Sequence, residues 1–336
     1  MRIIRFGLIG CGHIAHRHTE HIANHPHGKL NGAYDIDEKQ LDKFSAKYGI
    51  SRYLSLEEIL NSDTVDIINV CTPNGTHADI AISALDHGKH VLVEKPMCLT
   101  SIDAQRMVRA AAERKKKLFV VKQNRYNPPV HEVKRHIDKG HFGKIYSVNI
   151  NCFWNRNTEY YQQSSWRGSK NLDGGALFTQ FSHFIDILFY LFGNVKEIQG
   201  SCANLGHKDL IEIDDTGSFN FRFENGAIGS LSYTTCSHER NMEGSITIFA
   251  ENGTVKIGGK YLNTIDYQAT TGFEITGIDQ SNEANNYGFY EGSMSNHDKV
   301  IQNVIEVLNE RAEIKTSGED GAAVVNVIER MYQASN

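Results

Sequence analysis

Along the first 120 or so residues, short and nearly continuous apolar runs alternate with segments whose apolar positions recur every three or four residues. The runs are Ile3 to Ile9, Leu30 to Tyr34, Val65 to Cys71, His90 to Val93 and Leu118 to Val121. Strands that are apolar on both faces belong in a parallel sheet covered on both sides. Amphipathic stretches near 13–25, 38–48, 56–61, 76–87 and 102–116 supply the covering helices. Their ends carry helix punctuation, with Ser55-x-x-Glu58 and Thr100-x-x-Asp103 as capping boxes and Gly49 and Gly88 as C′ glycines. Strand and helix in alternation predict a doubly wound α/β domain.

After Asn127-Pro128-Pro129 the period changes. One more helix, near 130–139, precedes strands of period two at Lys144 to Phe153, Thr216 to Phe223, Ala227 to Thr234, Ser245 to Phe249 and Thr254 to Ile257. Two Glu-Asn-Gly turns, at 224–226 and 251–253, join consecutive strands as hairpins. A greasy helix containing Gly174 to Asp186 interrupts them, and helices near 296–311 and 319–333 close the chain. The expected fold is α/β: a doubly wound parallel sheet over 1–124, then an α+β domain with a large, mostly antiparallel sheet over 125–336, the last helices packing back on the first domain.

At 336 residues the chain has room for roughly two domains with their own cores. Its 35 Lys and Arg against 40 Asp and Glu give a net charge of −5, so no global field favours nucleic acid or an anionic membrane. A small molecule is the expected partner. No apolar run approaches the roughly 18 residues of a membrane span, and Met1 leads into a strand-like segment rather than a signal peptide. The expected location is the cytoplasm. Cys11, Cys71, Cys98, Cys152, Cys202 and Cys236 form no CxxC pair and read as reduced thiols.

Gly10-Cys11-Gly12-His13-Ile14-Ala15 follows the first strand and opens the first helix. This is GxGxxA in the position of a dinucleotide-binding turn: the first glycine allows the turn, the second lets the backbone approach a pyrophosphate, and Ala15 allows close helix packing. Asp35 ends the next strand, where a carboxylate accepts hydrogen bonds from the adenosine ribose and repels a 2′-phosphate. The expected cofactor is NAD. His13, His16, His18, His21 and His25 crowd the first helix and read as a solvent-facing stripe, and no metal site is expected.

His90 to Pro96 ends a buried strand on Glu94-Lys95-Pro96, and in an open parallel sheet ligands bind beyond the carboxyl ends of the strands. This string, the GxGxxA turn and Gly174-Gly175-Ala176-Leu177-x-x-Gln180-x-x-His183-x-x-Asp186 together resemble the glucose–fructose oxidoreductase and inositol dehydrogenase family (Gfo/Idh/MocA). The match extends through Cys71-Thr72-Pro73-Asn74 with His77, Trp166-Arg167 and Ser317 to Gly321. The resemblance implies a Rossmann domain whose NAD contacts come from Gly10, Gly12, His13, Ile14, Asp35, Thr72, Pro73, Asn74, His77, Glu94, Lys95, Asn124, Trp166 and Arg167. It also implies that Lys95 and His183 are the catalytic residues, facing the reacting carbon from two sides. Hydride leaves a carbinol carbon only if its hydroxyl proton goes to a base and the forming oxygen is stabilised. His183 can take the proton, and Lys95 can donate to the oxygen. Many family members carry Asp where this chain has Gln180, so Gln180 is read as holding substrate or nicotinamide.

Lys122-Gln123-Asn124-Arg125-Tyr126-Asn127 and Asn155-Arg156 through Tyr160-Tyr161 mix aromatics with arginines, a combination suited to a sugar nucleotide. With Trp166-Arg167-Gly168 and Arg240-Asn241-Met242-Glu243-Gly244-Ser245, these segments are similar to one branch of the family, the UDP-N-acetylglucosaminuronate 3-dehydrogenases of lipopolysaccharide O-antigen synthesis. That resemblance implies a UDP-sugar substrate, with 2-oxoglutarate recycling the cofactor in some members, and a dimer or tetramer built through the carboxyl-terminal sheet. The expected substrate contacts are Lys95, Asn124, Arg125, Tyr126, Arg156, Tyr160, Gln163, Gln180, His183 and Arg240. The alternatives are a dehydrogenase of a free sugar or inositol, an NAD-dependent glycosidase, and a regulator that binds the dinucleotide without turnover.

Overall fold

The computed structural model describes residues 1–280, 282–286, 288 and 290–335. The chain divides into two compact units, residues 1–121 with 297–325 and residues 122–296 with 326–336.

The first unit opens with β1 (Ile4–Ile9), α1 (His13–Asn24), β2 (Gly28–Tyr34), α2 (Glu38–Tyr48), β3 (Ser51–Arg52) and α3 (Leu56–Asn61). It continues through β4 (Ile67–Val70), α4 (His77–Asp86), β5 (His90–Val93), α5 (Ser101–Glu113) and β6 (Leu118–Val120). The strands lie in the order β3-β2-β1-β4-β5-β6, and every neighbouring pair is parallel. Ile67, Ile68, Val70 and Val91 to Val93 are wholly buried, as strands covered on both faces require. The caps anticipated in the sequence form: Ser55 Oγ accepts from the Glu58 N–H at 3.1 Å, Thr100 Oγ from the Asp103 N–H at 3.0 Å, and Gly49 turns left-handed at φ 63°. Strand order reverses between β1 and β4, which opens the crevice where such sheets bind ligands. The loops after those two strands carry Gly10 to Gly12 and Thr72 to Asn74.

The second unit contains α6 (Pro128–Asp138), β7 (Ile145–Phe153), α7 (Thr158–Gln162), α8 (Ala176–Thr179), α9 (Ser182–Phe192), β8 (Val195–Ala203), β9 (Thr216–Phe223) and β10 (Ile228–Thr234). Then come β11 (Glu243–Ala250), β12 (Gly253–Gly258), β13 (Thr264–Thr270) and the small pair β14 (Ala284–Asn286) and β15 (Glu291–Met294). Helix α10 (His297–Leu308) belongs to the first unit, and α11 (Gly318–Ala334) contributes residues to both. Seven strands form one sheet in the order β13-β12-β11-β7-β10-β9-β8, antiparallel except for the β7–β10 pair.

The register sorts that sheet into two faces. One row across the strands reads Ile257, Ile246, Ile150, Leu231 and Phe219, all wholly or almost wholly buried. Helix α9 covers this face, with Phe192 against Phe223 at 5.9 Å and Phe184 against Trp154 at 5.5 Å between ring centroids. A row on the opposite face reads Tyr267, Lys256, Thr247, Asn149, Ser230, Asn220 and Gln199. That face is largely polar.

The helix expected to contain Gly174 to Asp186 is in fact two pieces. Gly174 (φ 87°) and Gly175 (φ 129°) deliver the chain into the four-residue α8, and Gln180 caps its end. Phe181 leaves the helical conformation at φ −104°, ψ 1° and directs its ring between Trp154 (5.6 Å) and Tyr233 (5.0 Å), after which α9 begins. Core packing of one aromatic ring therefore separates Gln180 from the helix that carries His183.

Candidate functional site

In the first unit the nucleotide end is built from backbone and bare space. Gly10 has φ 92°, and a Cβ there would stand 2.8 Å from the Cys71 carbonyl group, so both the turn and the passing β4 loop exclude a side chain. A Cβ on Gly12 would meet nothing within 4 Å. That opening faces the start of α1, whose first-turn N–H groups have no side-chain cap, the arrangement that receives a pyrophosphate. Ala15 is wholly buried and Ile14 half-buried, while His13 is exposed. Asp35 braces the loop: its Oδ2 accepts from the Cys11 N–H at 2.7 Å and its Oδ1 from the Asp37 N–H at 2.8 Å. These residues fit an NAD molecule.

Beyond β4, Thr72 and Pro73 are tied down by the Thr76 hydroxyl at 2.8 and 2.7 Å, and Asn74 is buried in the short turn that follows. His77 is wholly buried with Nδ1 2.8 Å from the Pro96 carbonyl and Nε2 2.8 Å from the Thr72 carbonyl. Burial lowers its pKa, opposed by those two carbonyls. His77 thus braces the loop after β4 against the loop after β5. The latter holds Lys95, half-buried, beside a cis Lys95–Pro96 bond.

The histidines of α1 correct the solvent-stripe expectation. His13 is exposed and His16, His21 and His25 are half-buried, but His18 is wholly buried with its Nε2 2.7 Å from Glu94 Oε1. The helix turns one histidine inward because a buried carboxylate awaits it. His297 of α10 stands 3.7 Å from the same oxygen, and Glu94 Oε2 accepts from the Lys95 N–H at 3.0 Å. Burial acts to raise the Glu94 pKa, yet the hydrogen bond from His18 and the nearby His297 hold the carboxyl well below the usual range. His18, Glu94 and His297 offer three ligand atoms within 4.8 Å of one another, as do His207, Asp215 and Cys236 in the second unit.

In the second unit Gln180 and Arg156 meet. Gln180 Oε1 accepts from Arg156 Nε at 2.7 Å, and Gln180 Nε2 bonds the Tyr160 hydroxyl at 2.6 Å. Arg156 is 2% exposed, and Nη1 also donates to the Asn155 carbonyl (2.6 Å) and Asn241 Oδ1 (3.3 Å). Its guanidinium lies 5.1 to 5.3 Å from the ring centres of Trp154, Tyr160 and Tyr290. Arg167, half-buried, lies 4.3 Å over the Tyr160 ring from its other neighbourhood and donates through Nη1 to the Tyr160 carbonyl at 3.0 Å. Burial pushes the Tyr160 hydroxyl up to about 12, so it remains a neutral phenol. His183 is buried in the first turn of α9.

The remaining expected contacts have other settings. Arg125 forms a two-pronged pair with Asp186 (2.9 and 2.7 Å), joined by Lys122 at 3.2 Å, all three nearly sealed from solvent. Its fork is occupied inside the protein. Asn124 accepts from Ser293 Oγ at 2.6 Å, and its buried Nδ2 has no hydrogen-bond partner among the described residues. Tyr126 and Trp166 are half-buried. Gln163, at the end of α7, and Arg240, in a turn after β10, are exposed. The sequence reading missed several participants: Asn241 and Tyr290 beside Arg156, His18 and His297 on Glu94, and His207, whose Nδ1 and Nε2 bridge Asp215 (3.0 Å) and the Arg156 carbonyl (2.9 Å). None of these has a local sequence signal, since most of the partners are far away along the chain.

The geometry has counterparts. The sequence pattern of the GFO/IDH/MocA oxidoreductase family, with an NAD-binding Rossmann fold, matches residues 4–122, and the family's C-terminal domain matches 130–256. The WlbA dehydrogenase of Bordetella pertussis, solved with NADH and UDP-GlcNAcA, superposes with a TM-score of 0.90 at 36% identity, covering 99% of this chain and 97% of that one. A WlbA dehydrogenase from Chromobacterium violaceum, solved with the same two ligands, gives 0.91 at 35% identity over 100% of this chain and 94% of that one. Levoglucosan dehydrogenase of Pseudarthrobacter phenanthrenivorans is 28% identical over 219 residues, 59% of this chain and 56% of that protein. With a glycine turn that excludes a side chain at one position and leaves space at the next, and with relatives matched over its whole length, this chain belongs to the Gfo/Idh/MocA oxidoreductase family and is an NAD-dependent sugar dehydrogenase of that family.

Proposed function

We propose that this protein oxidises the 3-hydroxyl of UDP-N-acetylglucosaminuronic acid to a ketone in the cytoplasmic synthesis of a bacterial surface polysaccharide such as O-antigen. The observation that carries this reading is the whole-length similarity to two dehydrogenases solved with NADH and UDP-GlcNAcA. NAD, when bound, supplies the hydride acceptor. Gly10, Gly12, Asp35 and the first turn of α1 would hold its nucleotide end, and the Thr72 to Asn74 loop would line the remainder.

The chain's own residues manage the proton. As hydride leaves carbon 3, the hydroxyl proton must depart, so that one C–H and one O–H bond break and one carbonyl forms. His183 takes that proton, and Lys95 donates a hydrogen bond to the oxygen as it becomes a carbonyl. Glu94 acts one step removed. Its Oε2 grips the Lys95 N–H while its Oε1 is anchored by His18, which fixes the strand end from which Lys95 projects. Tyr160 and Arg156 contact the substrate, and Tyr126, Gln163 and Arg240 line its outer reaches. A homodimer or homotetramer forms through the open face of the sheet, where Phe249 and Tyr267 are exposed among polar residues. 2-Oxoglutarate would serve as the co-substrate that accepts the hydride from the bound cofactor and returns it to NAD.

The test is to incubate the protein with the sugar nucleotide and NAD, with and without 2-oxoglutarate, and follow NADH absorbance together with the sugar's mass. Loss of two hydrogens from the sugar, abolished in Lys95→Met and reduced about 100-fold or more in His183→Ala, supports the assignment. An unchanged sugar nucleotide alongside oxidation of a free sugar such as levoglucosan would replace it, the outcome that the similarity to levoglucosan dehydrogenase favours.

A further inference from the structure

Arg156 and Arg167 stand on one tyrosine ring, 5.3 and 4.3 Å from the centre of Tyr160, and both also approach Tyr290, at 5.2 and 5.6 Å. No carboxylate among the described residues comes within ion-pair reach of either guanidinium. The acceptors that Arg156 reaches are neutral: an amide oxygen of Gln180, an amide oxygen of Asn241 and a backbone carbonyl. The buried Nε of Arg167 has no hydrogen-bond partner among the described residues. Arginine does not escape burial by losing its proton, so two guanidinium charges remain in an aromatic setting without a carboxylate partner.

The contrast with Arg125 in the same unit is informative. Arg125 is equally buried and is matched by Asp186 at 2.7 Å, so the fold is able to neutralise a buried arginine when it needs to. At Arg156 the corresponding anchor is Gln180, which offers the same carbonyl geometry without a charge. A buried charge without a counter-ion is costly, and the cost is relieved when an anion arrives from outside.

We infer that Arg156 and Arg167 form a binding site for an oxyanion of the substrate, and that Gln180 is a positioning residue that holds Arg156 in place while leaving its charge unneutralised. The site favours an acidic sugar nucleotide over a neutral one if the anion is the sugar carboxylate, and any sugar nucleotide if it is the diphosphate. Only the identity of this ligand rests on the proposed function above; the charge of the site does not.

The experiment compares wild type with Gln180→Glu, both loaded with NAD, by calorimetric binding of UDP-N-acetylglucosaminuronic acid, UDP-N-acetylglucosamine and free glucuronic acid, with thermal unfolding of each. The glutamate keeps the length and the Arg156 contact and adds an internal counter-ion. Its expected effect is a weakening of anion binding by about tenfold or more, with an unchanged or raised Tm. Loss confined to the two carboxylate ligands identifies the sugar carboxylate, and equal loss on both nucleotides identifies the diphosphate. Binding of all ligands within about twofold of wild type by a folded Gln180→Glu protein overturns the inference. If wild type binds neither sugar nucleotide, the proposed substrate fails separately. The inference then stands on free glucuronic acid and inorganic phosphate: it holds if either raises the Tm of wild type more than that of Gln180→Glu, and falls if neither does. Arg156→Lys, with a point charge in place of the fork, is expected to retain part of the anion preference and reads the same quantity should the glutamate variant not fold.

Discussion

Around the glycine turn of the first unit, function is carried by backbone: a left-handed Gly10, an empty space at Gly12, uncapped N–H groups of α1 and two carbonyls braced by His77. Around Gln180 in the second unit, side chains meet side chains across 20 to 85 residues of sequence, as in Gln180 with Tyr160 and Arg156 with Asn241. The first arrangement tolerates almost no change of shape but asks little of charge. The second is organised by charge, with one buried arginine neutralised by Asp186 and another left to neutral partners. The first unit carries the family's NAD-binding Rossmann fold, and its solution is local. The second carries the proposed substrate contacts, and its solution is distributed.

The largest effect that would sharpen this comparison is expected at Asp186. Removing it in Asp186→Ala leaves Arg125 and Lys122 buried without a counter-ion, and chemical denaturation is expected to show a loss of about 3–5 kcal/mol. A loss under about 1 kcal/mol would break the claim that charge organises this unit.

Next come the two glycines. Gly10→Ala combines a left-handed φ with a 2.8 Å approach to the Cys71 carbonyl, and about 2–4 kcal/mol of stability should go together with NAD binding. Gly12→Ala has open space for its methyl, so Tm should stay within about 2 °C while the Kd for NAD rises about tenfold or more. Equal stability losses in the two variants would contradict a shape-based cofactor site.

A smaller effect separates the units by pH. Burial pushes the Asp173 carboxyl up to about 6, against contacts with the Thr179 hydroxyl and the Gly168 N–H that favour its ionised form. A folded pKa above the unfolded one means stability is fully present below about pH 4 and declines until the pH passes about 6, by roughly 2–3 kcal/mol. Asp173→Asn should remove that decline, seen as a flatter stability profile than wild type over this window. The smallest effect is at a cap: Ser55→Ala loses the hydrogen bond to the Glu58 N–H and should cost about 1 kcal/mol without changing NAD affinity.

The same contrast explains what the sequence discloses. The parallel sheet, its helices and both hairpins are legible because burial on two faces, burial on one face and Glu-Asn-Gly turns each leave a periodic trace. β3 leaves none, being two exposed residues, Ser51 and Arg52. β8 and β13 are missed because mostly half-buried or exposed residues blur their alternation. The glycine turn and Glu94-Lys95-Pro96 are found through spacing along the chain. The inward turn of His18 is not, since its cause is Glu94, 76 residues away. Gln180 is visible as an oddity in an apolar segment, but the arginine that gives it meaning is fixed by Trp154, Tyr160 and Tyr290, which only the folded chain assembles.

The central claim is hydride transfer from carbon 3 of an acidic sugar nucleotide to NAD. It is tested most directly with UDP-N-acetylglucosaminuronic acid carrying deuterium at carbon 3, followed by mass spectrometry of the reduced cofactor. The expected result is a cofactor heavier by one deuterium, a 3-keto sugar without it, and no transfer in Lys95→Met. Deuterium that stays on the sugar while NADH forms, or that is released to water, would contradict oxidation at that carbon.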